Sequence, residues 1–326
     1  MYAFDFWSMW LHLPIAVLLW TAAPHAMRAD SVSGREIYVM QEYQIVVDAA
    51  SDLPAELAAG LGVVTVPILV TFDGEPTQMT NEIEPKEFYA KLRTGQGVHT
   101  ASPNISIFRS FMEPILKEGK DVLYMGFSSG LSGMYHMGEL AAEELREEYP
   151  ERTIITVDTL CASLGYGLFV YHAVQKQREG ATLDELAAFL EDNKMHLAHW
   201  FTVEDLFFLK RGGRISATTA VVGSMLSIKP VMHCDDEGHL TKVATVRGRK
   251  ASIDALFHRM EQSVISPEGH MVYICHGDCI EDAERLANMV RAKWTVKDVM
   301  IGYTGPAVGA HSGPGTVALF FLATER

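Results

Sequence analysis

Val122-Leu-Tyr-Met-Gly-Phe-Ser-Ser-Gly-Leu-Ser-Gly133 is an apolar run that ends in a Ser/Gly-rich loop, and the pattern that follows through Glu139 to Glu148 reads as a helix. Strand, glycine loop and helix in that order form one unit of a largely parallel sheet. Such a loop gathers free backbone N–H groups, hydroxyls and the positive end of a helix around one point, which suits a carboxylate or a phosphate. A loop whose serines merely cap the helix is the plainer alternative.

The same texture extends to either side. Tyr43 to Val47, Val63 to Val70 and Thr153 to Val157 read as further strands. Ser51-Asp-Leu-Pro, Glu84-Pro-Lys-Glu-Phe, Ser102-Pro-Asn-Ile and Leu131-Ser-Gly open helices with cap residues or an early proline. Between Leu164 and Lys194 two helical patterns are split at Gly180-Ala-Thr, where Thr182 and Glu185 have the spacing of a capping box. This pair closes a first domain. Beyond it, Val231 to Asp235, Leu240 to Val246, Met271 to Cys275, Val299 to Gly302 and Thr316 to Phe321 read as strands with hairpin-like spacing, and Asp236-Glu-Gly-His as the turn between the first two. The expected fold is α/β. An N-terminal three-layer α/β/α domain with a mainly parallel sheet spans 41–195, and a C-terminal α+β domain spans 196–326.

A length of 326 residues suits two such domains. With 48% hydrophobic and 21% charged residues the chain has the balance of a folded globule. A net charge of −14 argues against nucleic acid, whose binding needs clustered Lys and Arg. Four cysteines are too few for a disulfide framework and fit reducing, cytoplasmic conditions. Cys275, His276 and Cys279 lack a fourth ligand at zinc-like spacing, so they read as buried groups at a strand end and no metal is expected.

Phe6 to Met27 contains no Asp, Glu, Lys or Arg. Its length would serve a leader or an anchor, yet only Asp5 precedes it and the first basic residue is Arg28, against the charge order of a signal peptide. Residues 1–40 are therefore read as an over-extended start, with Met40 as the true first residue and a hydrophobic leader or anchor as the alternative.

Several loops carry chemistry. Gly126-Phe-Ser-Ser-Gly130 matches Gly-x-Ser-x-Gly, so Ser128 with His311 downstream offers a rival reading as an α/β-hydrolase-like serine esterase. No HGGG-type oxyanion loop precedes the strand, and no acid stands out for a triad. His99-Thr-Ala-Ser-Pro103 is a second hydroxyl-bearing loop before a helix, expected at the carboxyl end of the sheet. Gly309-Ala-His-Ser-Gly-Pro-Gly315 reads as a glycine-rich loop whose His311 can donate to a carboxylate. Lys210-Arg-Gly-Gly-Arg214 and Arg247-Gly-Arg-Lys250 are dense basic clusters in an acidic chain, suited to an anionic ligand or partner unless they are plain solvated surface.

Taken in order, these blocks resemble the DegV family. Its opening Asp-Ser-x-x-Asp-Leu-Pro is echoed by Asp48-Ala-Ala-Ser-Asp-Leu-Pro54, and its Thr-Ser-x-Pro by Thr100-Ala-Ser-Pro103. Ser128 to Gly133 is unaltered, and Val157-Asp-Thr-Leu-Cys-Ala-Ser-Leu-Gly-Tyr-Gly167 is similar to the next block. Leu209-Lys-Arg-Gly-Gly-Arg-Ile-Ser216, Ile228-Lys-Pro230, Arg247-Gly-Arg-Lys-Ala251 and His311-Ser-Gly-Pro-Gly315 follow. The resemblance implies a tunnel between two domains that buries a long-chain fatty acid, with no cofactor of its own and only transient contact with membranes. A separate ATP-dependent fatty acid kinase would phosphorylate the bound acid. Carried over residue by residue, Thr100, Ser129 and His311 would bind the carboxylate, while Ser128, Arg214 and Arg247 would lie near the head group or face the kinase. Ala101 in place of the family's serine removes one hydroxyl from the first loop, and Met134 stands where many members have threonine.

Overall fold

Asp121–Gly126 (β6) is buried along all six residues, and a strand without a solvent face must lie inside a covered parallel sheet. It pairs in parallel with β1 (Tyr43–Asp48) and β7 (Ile154–Asp158), and β1 pairs in parallel with β2 (Val64–Val66), giving the order β2-β1-β6-β7. This computed structural model describes residues 42–216 and 227–326, so the readings of residues 1–40 lie outside the described residues.

Helices cover both faces of that sheet. On one side α3 (Ile105–Lys117) and α4 (Met134–Glu148) place Phe108, Met112 and Leu145 against Val46, Val122 and Tyr124. On the other lie α1 (Ala55–Leu61), α5 (Ser163–Arg178) and α6 (Leu183–Asn193). Thr182 caps α6 as its spacing predicts: its hydroxyl accepts from Glu185 N–H at 3.3 Å, and the Glu185 carboxylate accepts from Thr182 N–H at 2.9 Å.

The second sheet has six strands in the order β10 (Leu240–Arg247), β9 (Ile228–Cys234), β8 (Leu197–Thr202), β13 (Val317–Leu322), β11 (Met271–His276), β12 (Asp298–Tyr303). Alternation sorts its side chains. Val317, Leu319 and Phe321 face α8 (Arg249–Ser263) and α9 (Ile280–Lys293), whereas Ala318 and Phe320 face α5. The first eight residues of α5 are buried on every side because the helix lies between the two sheets. Three layers thus become five, with α5 common to both halves.

Several sequence readings change. Val63 to Val70 is two strands: β2 ends at Val66, Pro67 cannot donate to a ladder, and β3 (Leu69–Phe72) joins a separate antiparallel sheet with β4 (Gln78–Met79) and β5 (Val98–Ala101). Thr100 therefore sits on a strand of this third sheet and not in a loop of the parallel one. Hairpin spacing holds for β9 and β10, but β11 and β12 are parallel and joined through α9. The glycine-rich stretch before β13 is partly helical, since α10 (Pro306–Ser312) opens on a proline and includes His311. The strand β8 was not anticipated at all.

From β1 the chain runs outward to β2, then returns through the third sheet to β6 on the other side of β1. That reversal is a topological switch point, and ligands of open α/β sheets collect beyond the carboxyl ends of such strands.

Candidate functional site

A cavity of about 250 Å³ opens from this switch point toward the second sheet. The loop after β6 contributes Phe127, Leu131 and Ser132, the second sheet Phe201, Ala318 and Phe320, and α10 its face of Ala307, Val308 and His311. A mainly apolar space with a few convergent polar groups suits an acyl chain.

At one end three of the sequence candidates meet. His311 Nε2 is 2.7 Å from Thr100 Oγ1, and Arg214 Nη1 is 3.5 Å from His311 Nδ1. A guanidinium can only donate, so Nδ1 accepts and Nε2 carries the proton toward Thr100. Burial, then the charges of Arg214 and Arg211, push His311 down to about 4 and keep the ring neutral at pH 7. Arg214 Nε donates to Leu131 O at 3.0 Å, tying the segment after α7 (Leu206–Arg211) to the Ser/Gly-rich loop that follows β6. Gly212 makes this approach possible, because a Cβ there would come within 2.2 Å of His311 Nδ1.

The serine loop divides its roles differently from the sequence reading. Ser128 is wholly buried, and its hydroxyl donates to Gly238 O at 2.9 Å. Ser129 is exposed and stands outside the cavity wall; its N–H donates to Asp158 Oδ1 at 3.2 Å. The loop's serine on the wall is Ser132, which accepts from Met134 N–H at 3.2 Å and so retains its own proton for a ligand. Which of three serines within five residues faces the cavity depends on the loop's turn, a feature that residue types do not encode. Arg247, exposed at the end of β10, does not line the cavity either.

The loop is held from below and above. Asp48, fully buried at the end of β1, accepts from Ala50 N–H at 3.1 Å, Tyr124 OH at 3.1 Å and Phe127 N–H at 2.9 Å. Burial outweighs those three donors and raises its carboxyl to about 7. From above, the β9–β10 turn rests on the loop so closely that a Cβ on Gly130 would lie 2.6 Å from Glu237 O.

Elsewhere on the wall are Cys275, read from the sequence as a buried thiol, and three residues the sequence did not flag, Ser163, His199 and Thr304. His199 Nδ1 donates to Leu197 O at 2.8 Å and Nε2 accepts from Ala162 N–H at 3.2 Å, which uses both ring nitrogens. Cys275, His276 and Cys279 are likewise engaged locally, with Ser163 and Thr304, Cys279 N–H and Thr316 O respectively.

The hydrolase arrangement does not form. Ser128 bonds Gly238 O, whereas His311 bonds Thr100, so nucleophile and base are each committed elsewhere.

The family model described as "Uncharacterised protein, DegV family" matches residues 42–324. The chain belongs to the DegV family. A DegV domain-containing protein of Clostridium perfringens is 43% identical over 289 residues, covering 88% of this chain and 99% of that relative. Among solved structures, a fatty-acid-binding DegV family protein from Thermus thermophilus superposes with a TM-score of 0.79 at 30% identity, covering 86% of this chain and 99% of its own. A DegV lipid-binding protein from Thermotoga maritima gives 0.76 at 28%, covering 87% and 99%. The DegV fold of two domains thus accounts for both sheets, and the cavity described above lies within the matched span.

Proposed function

We propose that the chain is a fatty-acid carrier that buries an acyl tail in this cavity and holds its carboxylate at Thr100, His311, Arg214 and Ser132. The meeting of Thr100, His311 and Arg214 on the wall of a mainly apolar cavity carries the reading. The tail supplies affinity at about 25 cal/mol per Å² buried, and the polar end fixes the head. Thr100, which accepts from His311 Nε2–H and so keeps its own proton, and Arg214 donate to one part of the carboxylate, leaving an oxygen free for phosphoryl transfer. In the full proposal a separate ATP-dependent kinase brings nucleotide and magnesium to that oxygen in the cytoplasm. The carrier's share is then positioning alone, and exposed Arg247 belongs to the surface that meets the kinase.

Native mass spectrometry of the protein purified from a bacterial host tests the core of this. The expected spectrum carries the mass of a retained fatty acid, and a delipidated sample regains it on adding palmitate or stearate. A sample that neither retains nor takes up either acid overturns the assignment. Adding the host's fatty acid kinase, ATP and magnesium tests the second half, with acyl phosphate as the readout.

A further inference from the structure

The cavity carries a second polar group, away from the carboxylate end. Thr304 precedes α10 and His311 lies in its last turn, so the two are separated by roughly 8 Å of helix and the extended step at Gly305. At the Thr304 end three buried wall residues meet: Thr304 Oγ1 donates to Cys275 Sγ at 3.0 Å, and Ser163 Oγ lies 3.3 Å from the same sulfur. Ser163 Oγ also donates to Asp52 Oδ2 at 2.5 Å. Asp52 and Ser163 both have φ of 52°, a left-handed conformation that costs a side-chain-bearing residue energy and that here brings the two together.

The direction of these bonds decides what the wall can recognise. A carboxylate only accepts, so the Ser163 proton points to Asp52, and the Thr304 proton points to the sulfur. The Cys275 thiol proton then falls to Ser163 Oγ, and each hydroxyl keeps a further lone pair that a ligand can use. A methylene chain passing them leaves these acceptors without water or partner. A hydroxyl on the chain would donate to them, whereas a keto oxygen has no proton to give.

We propose that the Ser163–Cys275–Thr304 wall recognises a hydroxyl group on the middle of the acyl chain, which makes hydroxy fatty acids the preferred ligands of this carrier. The inference rests on the fatty-acid reading and refines it. The head-group residues fix one end, and the distance along α10 sets where on the chain the hydroxyl must fall.

Calorimetry on delipidated protein at pH 8, where Asp52, lifted by burial to about 7, is ionised, compares four ligands: stearate, 10-hydroxystearate, 10-oxostearate and β-hydroxystearate. The expected result is about three- to tenfold tighter binding of 10-hydroxystearate than of stearate, with no gain for the keto acid or for a hydroxyl beside the carboxylate. Thr304→Val keeps the side chain's shape and should reduce that preference. Equal affinity for stearate and 10-hydroxystearate, or a preference that survives in a Ser163→Ala/Thr304→Val double variant, overturns the inference while leaving the carrier reading intact. Failure to bind any of the four overturns both. Should the variants not fold, the wild-type comparison of hydroxy, keto and plain acids decides alone.

Discussion

At His311, burial and two neighbouring guanidinium groups act in the same direction, and a bound carboxylate would act in the other. The ring gives up its proton near pH 4 when the site holds no anion; beside a carboxylate it would hold the proton to higher pH. Between those two values the complex binds more protons than the free protein, so fatty-acid affinity should rise as pH falls from 7 toward 5. Calorimetry in buffers of different ionisation heat should register proton uptake, and His311→Gln should flatten the dependence. His311→Ala should weaken binding by about 1–3 kcal/mol without unfolding the protein, as loss of a charge-assisted hydrogen bond does. Ser132→Ala should weaken it as well, whereas Ser129→Ala should change it by less than about 0.5 kcal/mol, because Ser129 is an exposed side chain off the cavity wall. Thr100 and His311 stood out in the sequence because each sits in a short block of unusual residue types. Ser163 and Thr304 did not, since a lone hydroxyl beside a helix start is indistinguishable from a cap until the opposite wall is known.

Elements join at backbone contacts, and the β9–β10 turn shows how little space remains. Gly238 has φ of 78°, and a Cβ on it would come within 2.2 Å of Ser128 Oγ. Gly74 has nearly the same φ, 79°, with open space around it. Gly74→Ala should therefore cost about 1 kcal/mol from left-handed strain alone, and Gly238→Ala clearly more, because strain and collision combine. Urea titrations of both variants give the comparison, and equal losses would contradict the tight seating of the turn. The turn itself was legible, as Asp-Glu-Gly-His between two alternating runs. β5 and β8 were not: Val98–Ala101 is too short to establish a period, and Leu197–Thr202 is buried on both faces, so it has no alternation to read. α10 was read as loop because glycines at 309, 313 and 315 outweighed the helix-opening Pro306.

Across the whole molecule the two halves share α5, the Ser/Gly-rich loop after β6 and the cavity, and Asp48 anchors that loop on the side of the parallel sheet. Its carboxyl titrates near 7 in the folded chain and near 4 when unfolded. The folded state therefore holds the extra proton in that interval, and this group's contribution to stability is full below the unfolded value and lost as pH rises through about 7. Denaturation of wild type and Asp48→Asn at pH 5 and pH 8 should show wild type losing up to about 3 kcal/mol more over that rise. A parallel slope in the two proteins would mean that Asp48 keeps its proton throughout or never holds it. Most strands of the parallel and the six-stranded sheet were legible, as was a helix from Leu164, but not that helix's place between the two sheets, because an all-round apolar helix announces burial without naming its neighbours. The seating of the β9–β10 turn also bears on heredity. The Ser128 hydroxyl and the Gly130 face meet the turn through the backbone oxygens of Gly238 and Glu237, so side chains at 236 and 237 are free to drift over generations. The number of residues from 235 to 239 is not, since one inserted residue would lift both oxygens off the loop; relatives should therefore keep this length while varying its spelling.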